Sequence, residues 1–185
     1  MSERTGDTNP IGEIAALAAE HGFRVGVAES LTSGQLAADL GAGPSASDWF
    51  RGGLVAYASE VKFDVLGVPP GPVVTATCAR QMALGVASLV DADAVVATTG
   101  VGGPESEEGE SPGTVYVAAL VRGRETCRRL DLAGEPPEVL AQTRRHALGI
   151  LLEAMRAAAG VTAPRPRGTA HDAGPAGSPS RAASR

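Results

Sequence analysis

The chain has 185 residues, of which 43% are hydrophobic and 20% charged, with a formal net charge of -5. That length supports one full core and not two. The acidic balance, with no cluster of lysine or arginine inside the patterned region, leaves no footprint for a nucleic-acid backbone. Cys78 and Cys127 are far apart and follow no secretory leader, so neither a disulfide framework nor a zinc site is expected. No apolar run approaches the ~20 residues of a membrane span, so a cytoplasmic, membrane-free protein is expected.

Residues 1–8 are polar and read as a flexible N-terminus. Asn9-Pro10 supplies a cap and a first-turn proline, and Ile11, Ile14, Ala15, Leu17 and Ala18 follow at helical spacing until Gly22 stops the helix. Arg24 to Ala28 reads as a short buried strand. The run then breaks at Glu29-Ser30-Leu31-Thr32-Ser33-Gly34, and Gln35 to Leu40 resumes as helix. Ser45 to Arg51 makes a short connection holding Trp49, and Gly53 to Ala58 is the second strand.

Glu60 to Leu66 reads as a helical turn, and Thr75 caps a helix reaching Val90. Ala92 to Thr98 is apolar on both faces and therefore a central strand. Residues 105–112 are acidic and read as an exposed loop, and Thr114 to Val121 with Glu125 to Leu132 form a hairpin whose second strand is an edge. Pro137 to Ala159 is the last helix. Beyond it the composition turns to Gly, Pro, Ala, Ser and Arg, and residues 161–185 are expected to be a disordered tail. The fold class is a single three-layer α/β domain, residues 9–160, with a central mixed sheet covered by helices.

In open α/β sheets, loops at the carboxyl ends of strands converge on one edge, and three loops here qualify. Ser30 sits in the first, just before a helix, where unpaired N–H groups can stabilise an oxyanion and a serine can act as nucleophile. Ser30 or Thr32 can equally be the helix cap. In the second, Tyr57 ends a strand and Lys62 follows in a mostly apolar segment. A lysine against apolar walls has its charged form disfavoured and can serve as a base, or it can snorkel its amine to water. Lys62 is the only lysine in the chain, the other fifteen Lys/Arg positions being arginine, which does not give up its proton readily. In the third, Gly100-Val101-Gly102-Gly103 follows the central strand, so its N–H groups can approach a phosphate, and Thr98 and Thr99 can bond a ligand or cap the turn.

Together these segments resemble the nicotinamide-nucleotide amidase family, the domain also found as the C-terminal half of competence-damage-inducible CinA proteins. The resemblance runs from about Ile11 to Ala158. It rests on Ala28-Glu29-Ser30-Leu31-Thr32-Ser33-Gly34, on Trp49-Phe50-Arg51-Gly52-Gly53 continuing to Tyr57, and on Lys62 with Leu66-Gly67-Val68. Thr99-Gly100-Val101-Gly102-Gly103-Pro104 and Pro112-Gly113-Thr114-Val115 complete it.

The resemblance implies hydrolysis of the carboxamide of nicotinamide mononucleotide to nicotinate mononucleotide and ammonia, by a homodimer with no metal or cofactor. It implies Ser30 as nucleophile, Lys62 as its base and Tyr57 and Thr99 assisting. Glu29, Thr32, Gly100, Gly102, Gly103 and Thr114 are the expected substrate contacts, and the N–H groups opening the 33–40 helix are the expected oxyanion hole. The chain departs from the family after Gly134, where Pro136 and Leu140 stand at positions usually held by arginine. Arg144 and Arg145, one to two turns on, are the available substitutes. Two other readings compete, a non-catalytic nucleotide-binding homologue and an amidase acting on a related unphosphorylated carboxamide.

Overall fold

The computed structural model describes residues 10–160, so the expected N-terminal flexibility, the Asn9 cap and the 161–185 tail lie outside the described residues. The elements are α1 Pro10–His21, β1 Val25–Glu29, α2 Gln35–Gly41, α3 Ala46–Trp49, β2 Phe50–Val55 and α4 Ser59–Leu66. They continue with α5 Ala76–Leu89, β3 Ala94–Gly100, β4 Thr114–Val121, β5 Arg124–Asp131 and α6 Pro136–Ala159. The five strands form one mixed sheet in the order β2-β1-β3-β4-β5, with β2, β1 and β3 mutually parallel and β3-β4 and β4-β5 antiparallel.

Period-two alternation sorts the strand side chains into two cores. Val25, Val27, Ala94, Val96, Val115, Val117, Ala119 and Val121 face α1, α2, α3 and α6. Ala28, Val95, Ala97 and Ala118 face α4 and α5. This is the expected three-layer domain, built from short aliphatic side chains that let helices lie close to the sheet. No helix among the described residues is long and apolar enough to cross a membrane.

Two boundaries moved for local reasons. The second strand spans Phe50–Val55 rather than Gly53 to Ala58, so Tyr57 follows the strand instead of ending it, and the preceding connection contains the one-turn helix α3. Glycine disfavours a strand in general, yet a Cβ on Gly53 would strike the Val27 side chain and carbonyl. The gap left by hydrogen is what lets β2 lie against β1. The central strand runs on to Gly100, because Thr99 and Gly100 pair with Tyr116 and Val115 of β4. The Thr75 cap forms as expected, its hydroxyl accepting from the Cys78 N–H at 3.1 Å.

Helix α5 carries Gly85 against α4, where an added Cβ would strike the Leu66 carbonyl. Alanine in mid-helix ordinarily stabilises by about 1 kcal/mol over glycine. At Gly85 the clash is with backbone that cannot step aside, so Gly85→Ala is expected to destabilise by about 2 kcal/mol in urea unfolding.

Candidate functional site

Because β1, β2 and β3 are parallel, their carboxyl ends share one edge of the sheet, and β4 enters at the same edge. A cavity of about 600 Å³ opens there. Ser30, Tyr57, Lys62, Thr99, Gly100, Gly102 and Gly103 all line it, so the three loops singled out in the sequence do meet. Leu31, Ser33, Val73, Val74, Val101, Pro104, Glu105, Ser106, Glu107, Pro136 and Leu140 complete the wall.

The turn after β1 is organised by Glu29. Its carboxylate is fully buried and accepts from the N–H groups of Gly34 at 3.1 Å, Leu36 at 3.0 Å and Ala37 at 2.8 Å. The N-cap of α2 is Gly34 at φ +90°, so neither Ser30 nor Thr32 is the cap. Two expectations are corrected by this. Glu29 is not at the cavity wall but a strut beneath it, and the α2 N–H groups are already occupied and cannot be the oxyanion hole.

The remaining N–H groups of the turn tell where an oxyanion can go. Ser30 donates to the Thr98 carbonyl at 3.1 Å, Ser33 to the Ser30 carbonyl at 3.1 Å and Gln35 to the Thr32 carbonyl at 3.0 Å. Leu31 and Thr32 are left with no N–H acceptor among the described residues. The Ser30 hydroxyl also has no protein partner among them, and the residue keeps 8% of its surface open. A serine with a free hydroxyl, followed by the free N–H of Leu31 on the same wall, can support acyl transfer. Glu29→Ala would strand three N–H groups at once, so it is expected to lower the unfolding free energy by about 3 kcal/mol, read by urea denaturation.

Thr32 and Thr114 are also displaced from the expected substrate contacts. The Thr32 hydroxyl pairs with that of Thr98 at 2.9 Å in full burial. Thr114 is buried at the start of β4, with its carbonyl accepting from the Val101 N–H at 2.9 Å. Thr99 reaches the cavity, but its hydroxyl proton is committed to the Val73 carbonyl at 2.8 Å. Tyr57 lines the cavity but is 70% exposed, and its backbone carbonyl is the part that meets a buried group.

That carbonyl receives the Lys62 ammonium at 3.1 Å. Lys62 is only 1% exposed, so the buried alternative holds and the snorkelling one does not. Burial pushes its pKa below the ordinary lysine range, opposed by the nearby Cys78 and by Glu107, Glu108 and Glu60. Burial likewise pushes the Cys78 thiol up, against the pull of Lys62 and a hydrogen bond with Thr99. Lys62 makes no hydrogen bond to Ser30, although both line the same cavity.

The acidic 105–112 loop contains structure the sequence did not announce. Glu107 and Glu110 exchange backbone hydrogen bonds around Glu108 and Gly109, both at positive φ. The Glu108 carboxylate then clips the loop down, accepting from the Val73 and Val74 N–H groups, each at 2.8 Å. Val73 and Val74 sit between Pro72 and the Thr75 cap and gave no indication of lining a site.

Across the cavity, Pro136 and Leu140 close the wall where the resemblance leads one to expect cations. Arg144 does not substitute. Its guanidinium makes two bonds to Asp39, at 2.8 and 2.9 Å, and one to Gln35 at 3.0 Å, which ties α6 to α2. Arg145 is exposed and absent from the cavity wall.

Comparison with known proteins agrees with this architecture. The model of the CinA C-terminal domain matches residues 8–155. A CinA-like protein of Dictyoglomus thermophilum is 34% identical over 152 residues, covering 79% of this chain and 37% of its own length. A competence-damage-inducible relative in Geobacillus kaustophilus is 40% identical over 144 residues, 75% of this chain and 35% of that protein. The chain therefore spans about a third of the length of the curated relatives it matches. Among solved structures, a CinA superfamily protein of Klebsiella pneumoniae superposes with a TM-score of 0.77 at 32% identity, covering 80% of this chain and 96% of that one. One from Escherichia coli gives 0.78 at 31%, covering 83% and 94%. On matched length, fold and identity alike, the chain belongs to the CinA C-terminal domain family.

Proposed function

We propose that the chain is a serine amidohydrolase acting on the carboxamide of a nicotinamide nucleotide or nucleoside, giving the corresponding nicotinate and ammonia. Nicotinamide mononucleotide is the parent substrate implied by the resemblance. The observation that carries the reading is the unpartnered Ser30 hydroxyl sharing one cavity with the chain's single lysine, whose ammonium is buried and destabilised.

Neutral Lys62 takes the Ser30 proton, through a water where the two groups do not touch directly. The Ser30 Oγ adds to the carboxamide carbon, and the N–H group of Leu31, which lines the cavity, receives the developing oxyanion. Lys62 returns its proton to the leaving nitrogen, which departs as ammonia. Water, deprotonated by Lys62, then cleaves the acyl–serine ester, and Lys62 passes that proton to the departing Ser30 Oγ as the nicotinate is freed. Hydrogen bonds of this kind tighten when substrate seats, so the open Lys62–Ser30 spacing is compatible with the role.

The bond of Lys62 to the Tyr57 carbonyl rather than to Ser30 favours a second reading, a binding module without turnover. Ammonia release from nicotinamide mononucleotide or its nucleoside decides between them. Steady release with formation of the carboxylate product supports the hydrolase, and tight binding with no ammonia supports the module.

A further inference from the structure

Resting on that reading, we infer that the cavity selects a carboxamide whose far end carries no phosphate, and takes the uncharged nucleoside end in preference to the mononucleotide. The charges of the wall are the reason. Among the described residues, Lys62 is the only cation lining the cavity, and it lies at the bottom, bonded to the Tyr57 carbonyl. Two exposed carboxylates, Glu105 and Glu107, stand on the rim. A phosphate dianion entering this cavity meets carboxylates at the mouth and no guanidinium to pair with.

The cover over the glycine loop points the same way. Leu140 lies against Gly102, its Cδ1 3.2 Å from where a Cβ would stand, and Pro136 lies against Gly103, its Cγ 3.6 Å away. The wall next to the glycine loop is therefore apolar on the α6 side. The basic residue of α6 that reaches inward, Arg144, is consumed by Asp39 and Gln35. What the loop does offer is hydrogen bonding without charge: the N–H groups of Gly102, Gly103, Glu105 and Ser106 have no acceptor among the described residues. Such donors can hold a phosphate or a hydroxyl, and with Glu105 and Glu107 in the same stretch of wall they suit sugar hydroxyls better than a dianion. The same carboxylates favour the permanent positive charge of an N-glycosylated pyridinium ring.

The test is ammonia release by the full chain from nicotinamide riboside and nicotinamide mononucleotide, with calorimetric binding of both. At low salt, kcat/KM for the riboside is expected to exceed that for the mononucleotide by about tenfold, with the preference shrinking as salt screens the exposed rim charges. Leu140→Arg should move the ratio toward the mononucleotide by about tenfold by placing a cation against the glycine loop. Equal rates, or a mononucleotide preference in the wild type, would overturn the inference while leaving the amidohydrolase reading standing. If neither compound releases ammonia, the amidohydrolase reading fails, and the ratio of the two dissociation constants still decides the inference, a tighter mononucleotide overturning it. Should Leu140→Arg not fold, the salt dependence of the wild-type ratio serves alone, and a preference that does not shrink with salt counts against it.

Discussion

Ser30→Ala is expected to remove carboxamide hydrolysis, with kcat falling by about 10⁴-fold or more, because losing a nucleophile that works as a unit with its base leaves only binding and oxyanion stabilisation. The fold should be indifferent. Ser30 holds its place through its backbone N–H to Thr98 and its carbonyl from Ser33, neither of which uses the hydroxyl. The turn is fixed from below by Glu29, so the alanine variant should unfold within about 0.5 kcal/mol of the wild type. It should also bind substrate with ordinary affinity, since Leu31 and the glycine loop are untouched. Ammonia release near the wild-type rate, in a variant with unchanged urea unfolding, would remove Ser30 from the chemistry and with it the whole acyl-transfer scheme.

The contrast between Ser30 and Glu29 shows where sequence reading reached and where it stopped. Ser30, Lys62 and the glycine loop were legible because topology alone brings strand ends together, and a lone lysine in an apolar segment has few explanations. Glu29 stands one residue from Ser30, yet its side chain points to the opposite face of the strand. It meets N–H groups five to eight residues on, a geometry set by the left-handed Ser33 and Gly34 that no periodicity encodes. The same is true of Glu108, which reads as one more solvated acid but, at positive φ in a two-residue turn, bonds the backbone of Val73 and Val74. Side chains that satisfy distant backbone are invisible to pattern. The apolar closure at Pro136 and Leu140 was visible as a departure from the family. Its consequence needed the structure, because only there does Arg144 turn toward Asp39.

Lys62→Met separates stability from activity in one substitution. The lysine lies 1% exposed with a single hydrogen bond, and burial outweighs the help its ammonium receives from Cys78, Glu107, Glu108 and Glu60, so the fold holds its charged form at a net cost. Methionine is one atom shorter, keeps the apolar packing of the stem and removes that cost, so the variant should be more stable near neutral pH by about 1 kcal/mol. The sign follows from the direction of the shift. A lysine whose folded pKa lies below its unfolded one binds fewer protons when folded. Wild-type stability should therefore carry a component that is lost as pH falls through the depressed pKa and restored as pH rises toward the ordinary lysine value. Lys62→Met should lack that slope, so its advantage is largest at low pH and fades in alkali. Activity goes the other way. Without the base, kcat should drop by about 10³-fold. Wild-type kcat/KM should rise with pH and level off below the range in which a free lysine titrates, since neutral Lys62 is the working form. Lys62→Arg should not restore the rate, because the guanidinium stays protonated. A methionine variant that unfolds more readily than wild type at neutral pH would mean that the site welcomes the ammonium, and Lys62 would then be a fixed cation rather than a base.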